Sequence, residues 1–375
     1  MEKELFALLR MGLGTSIPEK EDQRPFAALT ADQWAQLGEM ALEQGVLGIF
    51  VDGVERLGDS STEATQTLSK RQKLEWIGVV LQNYEAGNMK QLVVIDTIQK
   101  LWAESGIRMM LMKGMAMGTY YPEPKHRSPG DIDCYLFNED DNENLLRTQA
   151  DAYKKGNDLA QSWADNVDEG WYKHSQIHYQ GELIENHQYF VHTREGKSSK
   201  RLNQVLVDSL KDAEFNRLPG TGALLPPPMF NALFLTYHAM THFLEEGLKL
   251  KQVLDWAMFL KRDGDKVDWQ AFYGICDKFH MRRFADVCTD IAVNYLYVNL
   301  NDNRISAKSP YTEKVLKSTF YDKDYVFSSG QSGWANRWHI VRNLIKYRWK
   351  YHQIYQHSVI RQLWWYAIGY VFKTE

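Results

Sequence analysis

Two aspartates one residue apart, Asp131 and Asp133, stand immediately before the apolar run Cys134-Tyr135-Leu136-Phe137. If that run is a strand, both carboxylates point to one face, because strand side chains alternate with period two. Carboxylates so close repel each other unless a cation lies between them. Mg²⁺, bound by one or two carboxylates together with substrate phosphates, suits such a pair. A bare Asp-x-Asp also describes a solvated strand end, so the flanking residues decide. Upstream, residues 106–112 (GIRMMLM) read as a short buried strand leading into Lys113-Gly114 and a helical turn or two over residues 115–121. Glycine at a strand-to-helix junction lets backbone N–H groups approach phosphate oxygens, and a new helix N-terminus favours an anion. Tyr121-Pro122-Glu123-Pro124 then makes a rigid corner, and Arg127 adds a fork of donors suited to phosphate. Together these elements read as one βαβ-like segment.

That order resembles the nucleotidyltransferase core shared by polymerase-β-like enzymes. More narrowly, it is similar to a branch whose pattern runs Leu-Lys-Gly, Tyr-Pro-x-Pro, Arg, then Asp-x-Asp with apolar residues interleaved. The matching residues are Met112-Lys113-Gly114, Tyr121-Pro122-Glu123-Pro124, Arg127 and Asp131-Ile132-Asp133-Cys134. The wider superfamily carries Gly-Ser or Gly-Gly closer to the aspartates, and Gly118-Thr119 rivals Lys113-Gly114 for that role. The resemblance implies an α+β fold, a small mixed sheet flanked by N-terminal and C-terminal helical regions. It also implies metal-dependent transfer of an NMP, AMP being the first candidate, from a nucleoside triphosphate to a hydroxyl, with release of pyrophosphate. The acceptor would be a protein or a small molecule. Asp131 and Asp133 would hold Mg²⁺ or Mn²⁺, and Lys113, Gly114 and Arg127 would bind the triphosphate.

Along the chain, residues 2–12, 30–45 and 46–57 read as helices, with Thr30 as an N-cap, and residues 61–103 as one or two helices forming a hairpin. Residues 1–105 are thus a helical region. Residues 106–225 form the α/β core. Within it, residues 139–153 read as an amphipathic helix and 156–168 as a polar loop. Residues 170–179 and 182–192 are alternating strands around Gln180-Gly181, a hairpin signal. On the second strand Glu185 and His187 share a face. The resembled branch has a Glu followed closely by His at this point, which implies that Glu185 is the third metal ligand or base and His187 a substrate contact. A zinc site drawn from His174, His178, His187 and His192 has no supporting ligand spacing.

Pro226-Pro227-Pro228 opens a helical region at residues 226–375, beginning with a long helical stretch over 229–261. His238 and His242, four apart, share a helical face. With Phe243, Gly247, Lys251-Gln252 and Asp255-Trp256 they follow the same branch, which has Arg where Lys251 stands. The resemblance puts His238, His242 and Lys251 around the nucleotide. The residues alone also allow a Lys251–Asp255 ion pair at i,i+4. Net charge is −4, yet residues 334–375 carry seven Lys/Arg against one acid, with eleven aromatic residues interleaved up to Phe372. The remaining chain is acidic, so a uniformly basic nucleic-acid binder is not indicated. Interleaved basic and aromatic residues can stack on nucleobases and contact phosphates, or sit at a membrane surface; the first expectation is that the tail docks on the core with Lys/Arg pointing outward. No apolar run is long enough for a membrane helix. The opening Met1-Glu2-Lys3-Glu4 is unlike a signal peptide, and Cys134, Cys276 and Cys288 form no CxxC pair, so a cytoplasmic, reduced protein is expected. The rival to an active enzyme is a catalytically silent nucleotide-binding or interaction module.

Overall fold

The computed structural model describes residues 1–16, 20–138, 145–193, 196–211, 213–300, 305, 308–322 and 341–358. Helices occupy the chain up to residue 103: α1 (Glu2–Leu13), α2 (Lys20–Ala27), α3 (Ala31–Glu43), α4 (Leu47–Ser60), α5 (Lys70–Val79) and α6 (Ala86–Ala103). Thr30 caps α3 in a capping box with Gln33. The expected hairpin over 61–103 does not form. Instead α5 runs into α6 through a π turn at Val80–Glu85, making one continuous rod. Gly87, inside that rod, lets a neighbour approach: a Cβ there would meet Pro129 Cγ at 3.3 Å.

The sheet follows: β1 (Ile107–Leu111), α7 (Met115–Gly118), β2 (Ile132–Asn138), α8 (Leu145–Ala160), β3 (Asn166–Asp168), β4 (His174–Tyr179), β5 (Glu182–His187) and α9 (Lys197–Asp208). Its strand order is β1-β2-β5-β4-β3. Among the described strands of the sheet, β2 and β5 alone pair in parallel. The βαβ-like reading therefore fails. Strands β1 and β2 are antiparallel neighbours, because the link between them is spent on the proline corner and the four residues of α7. Gln180 and Gly181 close the β4–β5 hairpin with φ of 51° and 73°, the two positive values of a tight hairpin turn. Residues 139–144 of the expected helix over 139–153 lie outside the described residues, and the observed helix, Leu145–Ala160, runs on into the expected loop. Gly156 sits inside it because α8 lies so close to β2 that a Cβ would strike Leu136 Cδ1 at 2.2 Å.

Helices α10 (Pro228–Glu245), α11 (Leu250–Asp263), α12 (Trp269–Lys278), α13 (Arg282–Asp290) and α14 (Thr312–Tyr321) complete the described chain, apart from its tail. The helical stretch over 229–261 consists of two helices, broken where Gly247 takes φ 94°. Residues 334–340 and 359–375 of the basic tail lie outside the described residues. The described part docks on the core, with Tyr351 and Ile354 buried, but Lys350 does not point outward: it is buried and its Nζ donates to the Phe243 carbonyl at 3.1 Å.

Alternation along the strands divides two cores. Ile132, Cys134 and Leu136 of β2 join Ile107, Met109, Leu111, Ile177 and Ile184 in a smaller core with α6 and α8. Tyr135 and Phe137 turn to the other face and join the large core shared by α1, α3, α4 and α9 to α14. The protein is thus α+β, a mixed five-stranded sheet between helical regions. Asp133 lies on the face of Tyr135 and Phe137, toward the helical half.

Candidate active site

Parallel pairing of β2 with β5 puts Asp133 directly beside Glu185. Period two then brings Asp131 and His187 onto the same face. From the opposite face of β5, Asn186 donates to Asn157 of α8 at 2.8 Å, and Ser175 of β4 donates to the same oxygen at 2.7 Å, which pins the strands from behind. The Asp133 side chain is fully buried. One of its oxygens, Oδ1, takes Lys113 Nζ at 3.1 Å and His187 Nε2 at 3.0 Å. The other, Oδ2, is buried with no hydrogen-bond partner among the described residues. Burial alone raises the Asp133 carboxyl, but Lys113 and His187 override it and hold it well below the usual carboxylate range. Asp131 is pushed the other way, by partial burial and by the charges of Glu185 and Asp133. Burial works against charge on Glu185 too, yet the hydrogen bond from His187 keeps its carboxyl below its ordinary value.

A cleft of about 390 Å³ opens beside this cluster, within the range of ligand pockets. Lys113, Gly114, Gly130, Asp131 and Asp133 line one wall, and His238, His242, Lys251 and Asp255 the other. Glu185 and His187 lie outside that lining, on the neighbouring strand. Gly114 has φ 60° and ψ −121°, a conformation open in practice to glycine only, and a Cβ there would meet the Asp131 carbonyl at 3.3 Å. Its rival Gly118 belongs to α7, against Pro124, and does not border the cleft. Helix α7 is too short to carry a useful dipole, so an anion at Gly114 would meet backbone N–H groups alone. His238 and His242 face each other at 3.1 Å between their Nε2 atoms, with Lys113 Nζ 3.4 Å from His238. Burial and the adjacent Lys113 push the His238 imidazole well down.

Arg127 is placed at the cleft, but its donors are already engaged. Its Nε and one Nη donate to the two oxygens of Asp255 at 2.8 and 2.7 Å, and the Tyr121 hydroxyl donates to the same carboxylate at 2.8 Å. The proline corner and the Asp-Trp pair of α11 are thus tied together in a buried network. This displaces the Lys251–Asp255 pair that the sequence allowed: Lys251 Nζ donates instead to the Pro129 carbonyl at 3.0 Å. Left half-buried beside Arg127, Lys251 is pushed down to about 7, by burial first and by that neighbouring charge second.

Several residues of the site escaped sequence reading. Gly45, in the turn between α3 and α4, borders the cleft against Lys251, and Gln44 accepts from the backbone N–H groups of Leu250 and Lys251. A lone glycine in a helical leader carried no signal. Lys173, next to His174, is lowered by burial and by Lys113, and stands close enough to Asp133 and Glu185 to feel both. His174, mentioned only as a zinc alternative, lies 3.4 Å from Glu185. Burial holds its imidazole down at about 4. Of the other two histidines in that alternative, His178 is exposed and His192 bonds to the Tyr172 hydroxyl. As a donor set, three convergent carboxylates with one unpartnered buried oxygen fit a divalent cation.

A family model described as an uncharacterised nucleotidyltransferase matches residues 30–296. Neither the curated proteins nor the solved structures compared with the chain gave a match.

Proposed function

The chain belongs to the uncharacterised nucleotidyltransferase family, and from that premise we propose that it moves an NMP, AMP first, from a nucleoside triphosphate to a protein or small-molecule hydroxyl. The observation that carries this reading is the lateral pairing of Asp133 with Glu185, beside Asp131 and a cleft edged by Lys113 and Gly114. Asp131, Asp133 and Glu185 would hold Mg²⁺ or Mn²⁺, which supplies charge stabilisation at the attacking and leaving oxygens. The acceptor oxygen bonds to the α-phosphorus, the bond to the β-phosphate oxygen breaks, and the hydroxyl proton passes to the Glu185 carboxylate. Gly114 lets the chain approach the phosphates closely, while Lys113 and Lys251 oppose their charge. His238 and His242 form the wall against the nucleotide. In this reading residues 106–225 carry the acids, and residues 1–105 and 226–375 supply walls and supports.

One observation favours the silent-module reading instead. The Arg127 fork is committed to Asp255, so the cleft presents lysines, not a bidentate donor, to a triphosphate. Pyrophosphate release and label transfer from each NTP, with Mg²⁺ and with Mn²⁺, test the proposal. Turnover in the wild type that disappears in Asp131→Asn/Asp133→Asn supports it. Triphosphate binding without turnover overturns it in favour of the silent module.

A further inference from the structure

The β4–β5 register sets His174 opposite His187, and Glu185 precedes His187 by two residues, so all three side chains leave the sheet on the Asp133 face. His174 Nε2 lies 3.4 Å from Glu185 Oε1, and His187 Nε2 lies 3.4 Å from Glu185 Oε2. Ligand atoms of the three residues all fall within 4.8 Å of one another. On the far side of the His187 ring, Nδ1 is 3.3 Å from the Tyr189 carbonyl oxygen. The outer nitrogen of the ring thus faces a carbonyl, while Nε2 faces Glu185 and Asp133. A carbonyl holding the outer N–H of an imidazole is also how metal-ligating histidines are oriented. Asp133 Oδ2, in the same cluster, is buried and unpartnered among the described residues.

We propose that His174, Glu185 and His187 bind a first-row transition-metal ion of the Zn²⁺ type, at a position separate from the one between Asp131 and Asp133. Two imidazoles and a carboxylate select such an ion over Mg²⁺, whose preference is for oxygen. Glu185 is common to both positions, so in that one respect the inference rests on the reading above, but binding of this ion needs no nucleotide.

Mn²⁺ serves as the probe, added to the metal-free full chain without nucleotide. Electron spin-echo spectroscopy is expected to show coupling to imidazole ¹⁴N. Stoichiometric Zn²⁺ should abolish that coupling, and about a hundredfold excess of Mg²⁺ should not. The coupling should weaken in His174→Gln and in His187→Gln, yet persist in Asp131→Asn. Mn²⁺ bound without ¹⁴N coupling overturns the inference. Coupling unaffected by both histidine substitutions overturns it as well, as does a failure to bind Mn²⁺ at all. The wild-type spectrum decides these points even if a histidine variant folds poorly. The two proposals fail separately: turnover with Mg²⁺ but no nitrogen coupling sinks only this one, and nitrogen coupling without triphosphate turnover sinks only the other.

Discussion

Two charged clusters grow from the same short stretch of chain and are built on opposite plans. Around Asp255, every strong group has an answer: Arg127 gives two hydrogen bonds, Tyr121 a third, and both charged side chains are almost wholly buried. Around Asp133 the accounts are left open. Three carboxylates converge, Oδ2 has no partner among the described residues, and Asp131 is raised by the burial and like charges it meets. A saturated network holds parts of a fold together; an unsaturated one is poised to take something up. The contrast predicts that the first cluster governs stability and the second governs binding and turnover.

The largest effect expected falls on the open cluster. Asp133→Asn should lower transferase activity by on the order of 10³-fold or more, since it removes the carboxylate nearest both neighbours. Asp131→Asn should also lose activity, but its melting temperature in the absence of divalent ions should hold or rise, because one of three repelling charges is gone. Thermal melts with EDTA, run beside the activity assay, separate the two readouts. A clear drop in melting temperature for Asp131→Asn would mean that the cluster holds the fold. At the closed cluster the order reverses. Arg127→Ala strands a buried Asp255 and should cost about 3–5 kcal/mol in urea unfolding. If Arg127→Ala leaves stability untouched and weakens only triphosphate binding, the fork is a ligand group and the contrast collapses.

What the sequence disclosed follows the range of the interactions concerned. That Asp131 shares a face with Asp133, and Glu185 with His187, was legible because strand alternation is local; their roles came only from the family resemblance, and the parallel pairing that joins β2 to β5 had to be supplied by the fold. The N-cap at Thr30 and the turn at Gln180-Gly181 are local too. The partner of Arg127 was not legible for the opposite reason: it lies on α11, far along the chain, and nothing in the proline corner announces that a buried carboxylate will occupy its fork. Gly156 read as the start of a loop, whereas it removes a side chain where β2 packs close. The same long-range blindness hid Gly45 and Lys173. His174 shows the limit most plainly, since its distance from Glu185 depends on a hairpin register that periodicity does not set.

A smaller effect is expected at Gly114, where the open wall is shaped by backbone alone. Gly114→Ala forces a side chain into φ 60°, ψ −121° and toward the Asp131 carbonyl. It should destabilise by about 1–3 kcal/mol and raise the KM for the triphosphate. Unchanged values of both would show that the turn relaxes without loss, and would leave Gly114 no special part in the cleft.

The smallest effect lies between the clusters, at Lys251, whose pKa of about 7 makes it a pH-dependent member of an otherwise fixed wall. An incoming triphosphate favours the charged amine, so binding should take up a proton near neutral pH. Affinity should then fall as pH rises from about 7 to 9, at most tenfold per unit. Lys251→Arg stays charged throughout, so the ratio of wild-type to variant affinity cancels the ionisation of the ligand itself and isolates this amine. In the ligand-free protein the sign is the other way. The folded pKa lies below the unfolded value near 10.4, so the unfolded chain binds more protons between about 7 and 10, and this group makes stability rise with pH across that window. Lys350, lowered to about 8 at the docked tail, adds to the same trend without touching the cleft. Calorimetry in buffers of different ionisation enthalpy measures the proton uptake directly. A wild-type-to-variant ratio that stays flat from pH 6 to 9 would place Lys251 out of the reach of the ligand, and would assign it to the closed cluster beside Arg127.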